Sequence, residues 1–91
     1  MARFIVTHKL PAVGTQDEII EVSKATINAL SNGAEWLKSW VVPADSRLFC
    51  EWEAAEEESI QVVLKESGFF PIEVIHPVVV IDPAWFKESV L

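Results

Sequence analysis

The order of the predicted elements constrains the fold of this chain more than any other feature. Runs of β-branched and aromatic residues predict four strands, at residues 3–8, 35–42, 47–53 and 72–81. Helical apolar spacing fills the two longer gaps, at residues 15–30 and 56–67. The resulting order, β-α-β-β-α-β, is typical of the ferredoxin-like α+β sandwich, in which two helices cover one face of a four-stranded antiparallel sheet with strand order 4-1-3-2.

Composition and charge narrow the class of protein and its partners. The chain has 91 residues, of which 51% are hydrophobic, and a net charge of −7 from 7 basic and 14 acidic side chains. This size and composition predict a single folded domain over residues 1–91, with a C-terminal tail at 84–91 that is a candidate part of a dimer contact. The negative charge argues against nucleic acid as a partner, because phosphate recognition needs a basic surface. The same charge favours cation binding.

The location of the protein follows from its apolar runs and its cysteine content. No apolar run approaches the roughly 20 residues that a membrane-spanning helix needs, and no signal segment opens the chain. The single cysteine excludes an internal disulfide and fits a reducing compartment. We therefore expect a cytoplasmic protein that does not contact a membrane.

The predicted sheet leaves one face without a helix, and that face needs a partner, since soluble monomers rarely expose a large apolar patch. The chain has four tryptophans, at positions 36, 40, 52 and 85. Strand alternation puts Trp36 and Trp40 on one face, and tryptophan is favoured in protein interfaces. We therefore predict a homodimer that associates through the open sheet face. An apolar small-molecule pocket between protomers is the alternative role for these rings.

The strand at residues 47–53 shows the clearest alternation in the chain. Leu48, Cys50 and Trp52 point to one face. Glu51 and Glu53 point to the other, with Arg47 as a near partner. Two carboxylates on one face can hold a cation or take part in acid–base chemistry, and they can also form an ordinary solvated or dimer-facing surface.

The two histidines are the main candidates for metal ligands. His8 ends the first predicted strand and His76 lies early in the fourth, so strand order 4-1-3-2 brings both near one end of the sheet. Imidazoles suit nickel, zinc or copper, and carboxylates such as Glu51 and Glu53 can complete the shell. The alternative makes His8 a polar strand-end residue and His76 a hydrogen-bonded residue before a proline. The sequence leaves open which face of the first strand is buried.

Cys50 has three possible roles: a metal ligand, a nucleophile or a small core residue. No basic neighbour in the sequence lowers the pKa of its thiol, and Glu51 next to it raises that pKa. Free cysteine is among the most buried residue types, so core packing is favoured.

Several segments, in order, resemble a family of small ferredoxin-like proteins of unknown function that includes nickel-binding members. The matching segments are Arg3-Phe4-Ile5-Val6, Trp36-Leu37-Lys38-Ser39, Phe49-Cys50-Glu51-Trp52-Glu53-Ala54, Glu57-Glu58-Ser59-Ile60, Ser67-Gly68-Phe69-Phe70-Pro71-Ile72-Glu73-Val74-Ile75 and Ile81-Asp82-Pro83. The resemblance implies the ferredoxin-like fold, a dimeric α+β-barrel arrangement of two sheets and divalent metal binding. It supplies no ligand set.

Three functions remain open at this point. The first is a non-enzymatic protein that binds nickel or another divalent transition metal as a homodimer, with His8, His76, Glu51 and Glu53 as candidate ligands. The second is a small-molecule enzyme or binder of the dimeric α/β-barrel kind, by analogy with cofactor-free monooxygenases and isomerases. The third is an interaction module without a site. Phosphate loops, nucleophile elbows and Rossmann glycines are absent from the sequence, so it assigns no catalytic residue and implies no organic cofactor.

Overall fold

The regular elements follow one another in the predicted order. The structure, a computed structural model, describes residues 1–11, 16–31 and 33–87. Its strands and helices are β1 (Ala2–Lys9), α1 (Gln16–Ala29), β2 (Glu35–Val42), β3 (Arg47–Ala54), α2 (Glu57–Ser67) and β4 (Ile72–Val78). Short 3-10 turns follow β2 at Pro43–Asp45 and β4 at Pro83–Phe86. Thr15, with which the first predicted helix starts, and residues 88–91 of the predicted tail lie outside the described residues.

The four strands form one sheet in the order β2-β3-β1-β4. Every neighbouring pair is antiparallel, so β1 lies between β3 and β4 while β2 and β4 form the edges. The predicted ferredoxin-like α+β fold and its strand order are confirmed.

Alternation along the two central strands decides which side chains meet the helices. Leu48, Cys50 and Trp52 share the buried face, as predicted, and each is at most 3% exposed. The sequence left the phase of β1 open, and the structure buries His8 on this same face, together with Phe4 and Val6. The opposite side of the sheet carries no helix and is called the open face below.

The two helices contribute unequally to the core. α2 buries Ile60, Val63 and Leu64 against the sheet. It is capped at its C-terminus by Gly68, whose φ of 69° is the left-handed conformation that glycine adopts without strain. α1 packs on α2 and buries Thr26, whose hydroxyl donates to a backbone carbonyl one turn earlier. Of the helices in the described ranges, none is long and apolar enough to cross a membrane.

A bulge in β2 overturns one prediction about the tryptophans. Trp36 pairs with Trp52, but the register shifts before Lys38, so Leu37 is an extra residue in the strand. Trp36 therefore packs on the core, while Trp40 pairs with Phe49 on the open face and is 45% exposed. The prediction that Trp36 and Trp40 share a face is wrong.

The last strand is three residues shorter than predicted. It ends at Val78 instead of residue 81, because Val78 pairs with Arg3 and β1 begins only one residue earlier, at Ala2. The apolar residues that follow leave the sheet.

Candidate functional site

His8 is fully buried on the helix-covered face of the sheet, at 0% exposure. Its Nδ1 lies 2.9 Å from the backbone carbonyl oxygen of Phe70. A carbonyl only accepts, so Nδ1 carries the proton and Nε2 presents a lone pair. Within the described part of the chain, this Nε2 has no hydrogen-bond partner. The ring of Phe69 packs against the imidazole with a centroid distance of 4.7 Å.

The surroundings of His8 keep its imidazole neutral. Burial lowers its pKa below the ordinary value of 6.5, and the nearby carbonyls of Phe70 and Pro71 oppose that effect only in part. A neutral ring with a bare, buried Nε2 is a hydrogen-bond acceptor in an apolar setting.

The structure places His76 on the other face of the sheet from His8. His76 pairs with Ile5, whereas His8 pairs with Ile72. Ile5 faces the opposite side from His8, because the two are three positions apart on one strand. The two histidines are therefore not brought together within one chain. The sequence did not predict this separation, because it leaves open which face of β1 is buried.

Glu51 and Glu53 lie on the open face, as the alternation predicts, and Arg3 holds both. Arg3 Nη1 donates to Glu51 Oε2 at 2.6 Å, and Arg3 Nη2 donates to Glu53 Oε2 at 3.3 Å. The two carboxylate side chains are 14% and 31% exposed, so this is a partly buried ion triad. The predicted near partner, Arg47, pairs instead with Glu73 at 2.9 Å, and this hydrogen bond lowers the pKa of Glu73.

Glu51 and His76 belong to one row of residues across the open face. Both pair with Ile5, from the two strands that flank β1. Strands two apart are separated by about 10 Å, too far for one metal ion to bind both side chains while each stays over its own strand. Throughout residues 1–11, 16–31 and 33–87, no three histidine, cysteine or carboxylate side chains are gathered as a metal cluster.

The open face differs from the rest of the molecule in charge. Strand pairing assigns it four basic side chains, Arg3, Lys9, Lys38 and Arg47, and four acidic ones, Glu35, Glu51, Glu53 and Glu73. The whole sequence has 7 basic and 14 acidic residues. Among the residues that the structure describes, three basic and nine acidic residues lie elsewhere. The open face is thus neutral, whereas the other described surfaces have an excess of acidic residues.

Cys50 matches the core-packing interpretation. It is 0% exposed and lies among buried apolar side chains. Burial raises the pKa of its thiol to about 11, and a hydrogen bond with Ser39 only partly offsets that rise. The thiolate, which is the form that attacks or ligates, is therefore scarce at neutral pH.

Two clefts adjoin the residues that hold His8. The larger, of about 430 Å³, is mostly apolar and is lined by Lys9, Leu10, Pro11, Phe70 and Pro71. The smaller, of about 210 Å³, is lined by Gln61, Leu64, Lys65, Phe69, Phe70, Pro71 and Ile72. Sequence reasoning did not single out Phe70 as a partner of His8. The sequence signal that could have predicted this partner is the turn Gly68-Phe69-Phe70-Pro71. Its backbone carbonyls lie outside the strands and need hydrogen-bond donors from elsewhere, such as a side chain.

Comparisons with known proteins agree with this architecture. A family model described as "SCO4226-like: Nickel responsive protein SCO4226-like" matches residues 4–78. The crystal structure of SCO4226 from Streptomyces coelicolor A3(2) superposes with a TM-score of 0.77 at 22% sequence identity, covering 89% of this chain and 100% of that one. At this identity, the superposition shows a shared fold. No curated protein gives a significant match to the sequence.

Proposed function

The chain belongs to the SCO4226-like family, described as nickel responsive, and from this premise we propose that it binds nickel or a similar divalent transition metal as a homodimer. The dimer forms through the open face, and the ligands come from that face. His76 supplies an imidazole, and Glu51 and Glu53 supply carboxylates. Nickel accepts both ligand types.

The single observation that carries the proposal is the shared location of these three candidate ligands. His76, Glu51 and Glu53 all lie on the open face, and His76 is exposed. Within one chain the row from Glu51 to His76 is too wide for one ion. A dimer joined through this face brings a second set of the same side chains to it, so ligands from two chains can complete a site.

Charge supports both parts of the proposal. Two molecules of net charge −7 repel each other, but the neutral open face is the surface on which that repulsion is weakest. The acidic remainder of each molecule attracts cations to the complex. Arg3 opposes the metal, because it occupies the carboxylates of Glu51 and Glu53 in the metal-free protein.

His8 is a less favourable candidate ligand than His76. Its Nε2 has the lone pair that a metal needs, but the imidazole is 0% exposed and packs edge-on with Phe69. Metal binding at His8 therefore requires the core to open, whereas binding at His76 does not.

Calorimetric titration of the full chain with nickel chloride tests the proposal, with the mass measured by light scattering in the same samples. We expect a whole-number ratio of nickel per dimer, and loss of binding in His76→Ala and in the double variant Glu51→Gln/Glu53→Gln. Val74→Ala, on the same strand and face as His76, is the matched control and should bind normally. A folded protein that takes up no nickel, or variants that bind like the wild type, would refute the proposed site.

One observation favours a second function, the binding of a small apolar molecule. The bare Nε2 of His8 is a buried acceptor that lacks a donor, and Phe70, which fixes its ring, lines both clefts. A ligand with an apolar body and one hydroxyl or amine donor has the matching chemistry. The support from other proteins is an analogy with the dimeric α/β barrels that bind small molecules. The analogy does not identify a reaction.

Phenol and anisole form a matched pair of probes for this second function, because they have similar apolar bodies and only phenol donates a hydrogen bond. If His8 Nε2 accepts from a ligand, phenol shifts the ¹⁵N resonance of that ring nitrogen and anisole does not. Equal responses to both, or none, would leave a buried water or an apolar contact as the neighbour of Nε2 and would rule out this function. The third possibility, an interaction module without a site, then gains weight if nickel also fails to bind.

A further inference from the structure

The segment that follows the sheet exposes four large apolar side chains within eight residues. We call residues 79–86 the C-terminal arm. Val79 is 90% exposed, Ile81 75%, Trp85 61% and Phe86 50%. Soluble proteins seldom leave such a run in water without a partner for it.

The arm leaves the sheet because its neighbouring strand ends. Val78 pairs with Arg3, and β1 begins at Ala2. Beyond that point, only Ala2 of β1 remains to pair with the arm, although the arm continues the apolar sequence of β4. The matched part of the family model also ends at residue 78, so the arm lies outside the residues that this model matches.

The end of the arm has a local structure of its own. Asp82 accepts a hydrogen bond from the backbone amide of Ala84 at 2.9 Å, and its carbonyl accepts one from the amide of Trp85 at 3.0 Å. Pro83 fixes the first position of this turn. The rings of Trp85 and Phe86 lie 6.4 Å apart at 62°. A turn that already holds two aromatic rings loses little conformational entropy when it binds.

The charge and position of the arm indicate what kind of partner covers its apolar side chains. The arm contains one charged residue, Asp82, and Lys87 follows it directly, so residues 79–87 together have no net charge, like the open face. The side chain of Val78, at the root of the arm, faces that same side of the sheet. The arm therefore adjoins the neutral open face of a chain with a net charge of −7. A second copy of this chain, which presents the same neutral face, fits this surface better than a strongly basic or acidic partner does.

We propose that the C-terminal arm of each chain crosses to a second copy of the protein and anchors the dimer through Trp85 and Phe86. This inference rests on the homodimer of the proposed function and adds a contact outside the sheet faces. Tryptophan anchors of this kind dominate many interfaces.

The dimer dissociation constant tests the arm, measured on the full chain by sedimentation equilibrium over a dilution series. We expect the double variant Trp85→Ala/Phe86→Ala to raise it by about 30-fold or more, the size typical of an interface hot spot. Lys87→Ala, at the end of the same segment, should leave it unchanged. A double variant that dimerises as tightly as the wild type would overturn the arm contact while the sheet-mediated dimer stands. A wild-type protein that stays monomeric would overturn the dimer as well.

A spin label at position 87 identifies the chain that the arm touches. The variant Lys87→Cys is labelled selectively, because Cys50 is buried and its thiol pKa is raised to about 11. Labelled chains without ¹⁵N are mixed with ¹⁵N-labelled chains without the spin label. Broadening of amide signals in the ¹⁵N chains supports a crossing arm. A control sample contains chains that carry both the spin label and ¹⁵N. If broadening occurs only in this control and not in the mixture, the arm folds back on its own sheet and the proposal fails.

Discussion

The imidazole Nδ1 of His8 donates to the backbone carbonyl of Phe70 at 2.9 Å, and this bond joins the end of the first strand to the turn before the last one. The two residues are 62 positions apart in the sequence. The bond fixes the ring, its tautomer and the direction of the bare Nε2. It thereby gives a buried histidine a structural role that a surface histidine lacks.

Replacing this histidine is expected to destabilise the fold. His8→Ala removes a fully buried ring and leaves the Phe70 carbonyl without its donor, so we expect a loss of about 2–4 kcal/mol in the free energy of unfolding. His76→Ala, on the exposed face, should change it by less than about 0.5 kcal/mol. Urea denaturation followed by circular dichroism measures both. Similar effects of the two substitutions would contradict the assignment of His8 to the core.

Stability should also depend on pH through His8. Its pKa in the folded protein lies below the unfolded value of 6.5, so the unfolded chain binds the proton more readily. The contribution is fully present above pH 6.5 and is lost as the pH falls from there toward the folded pKa. Urea midpoints at a series of pH values should therefore decrease below pH 6.5 in the wild type and less so in His8→Gln. The depressed pKa of Glu73 acts separately, in the acid range below its ordinary value of 4.5. Parallel pH profiles for wild type and variant would count against this linkage.

Arg3 should compete with a metal for the carboxylates of the open face. In the proposed site, Arg3→Gln frees Glu51 and Glu53 from their ion pairs and removes a nearby positive charge. We expect nickel affinity to rise by about twofold to fivefold, the size of one partly exposed ion pair. Lys24→Gln makes the same charge change on α1 and is the matched control. If both substitutions raise the affinity equally, the effect is one of net charge and the two carboxylates are not ligands.

The thiol of Cys50 should be unreactive in the folded protein. With 0% exposure and a pKa of about 11, it has little thiolate and no access to a reagent at pH 8. Ellman's reagent is therefore expected to release colour only after denaturant is added, whereas the exposed thiol of Lys87→Cys reacts at once. Fast reaction of the native wild type would show that Cys50 is reachable and would reopen its role as ligand or nucleophile.

The sequence predicted the fold well where a pattern carried the information. The strict alternation at residues 47–53 predicted correctly that Cys50 is buried and that Glu51 and Glu53 share a face. The β2 pattern alternates only roughly. The bulge at Leu37, which puts Trp36 and Trp40 on different faces, could not be predicted because no glycine or proline lies there.

The candidate site was harder to predict because it depends on relations between strands. Topology alone gives the end of the sheet at which a residue lies, and it predicts neither the face of His8 nor the partner of its Nδ1. Both depend on the phase of β1 and on the register shift between Thr7 and His8. Arg3 was likewise absent from the predicted site, since only cross-strand register brings it to Glu51 and Glu53.

The central position of β1 has a consequence for how this chain folds. β2 and β3 are joined by a tight turn and can form a hairpin early, whereas β1 must wait for two partners that follow it in the sequence, the nearer at residues 47–54 and the farther at residues 72–78. During synthesis β1 is made before β2, β3 and β4, so of these four strands it stays longest without its neighbours. Pulse-labelled hydrogen exchange during refolding should show the amides of β2 and β3 protected before those that bond β1 to β4.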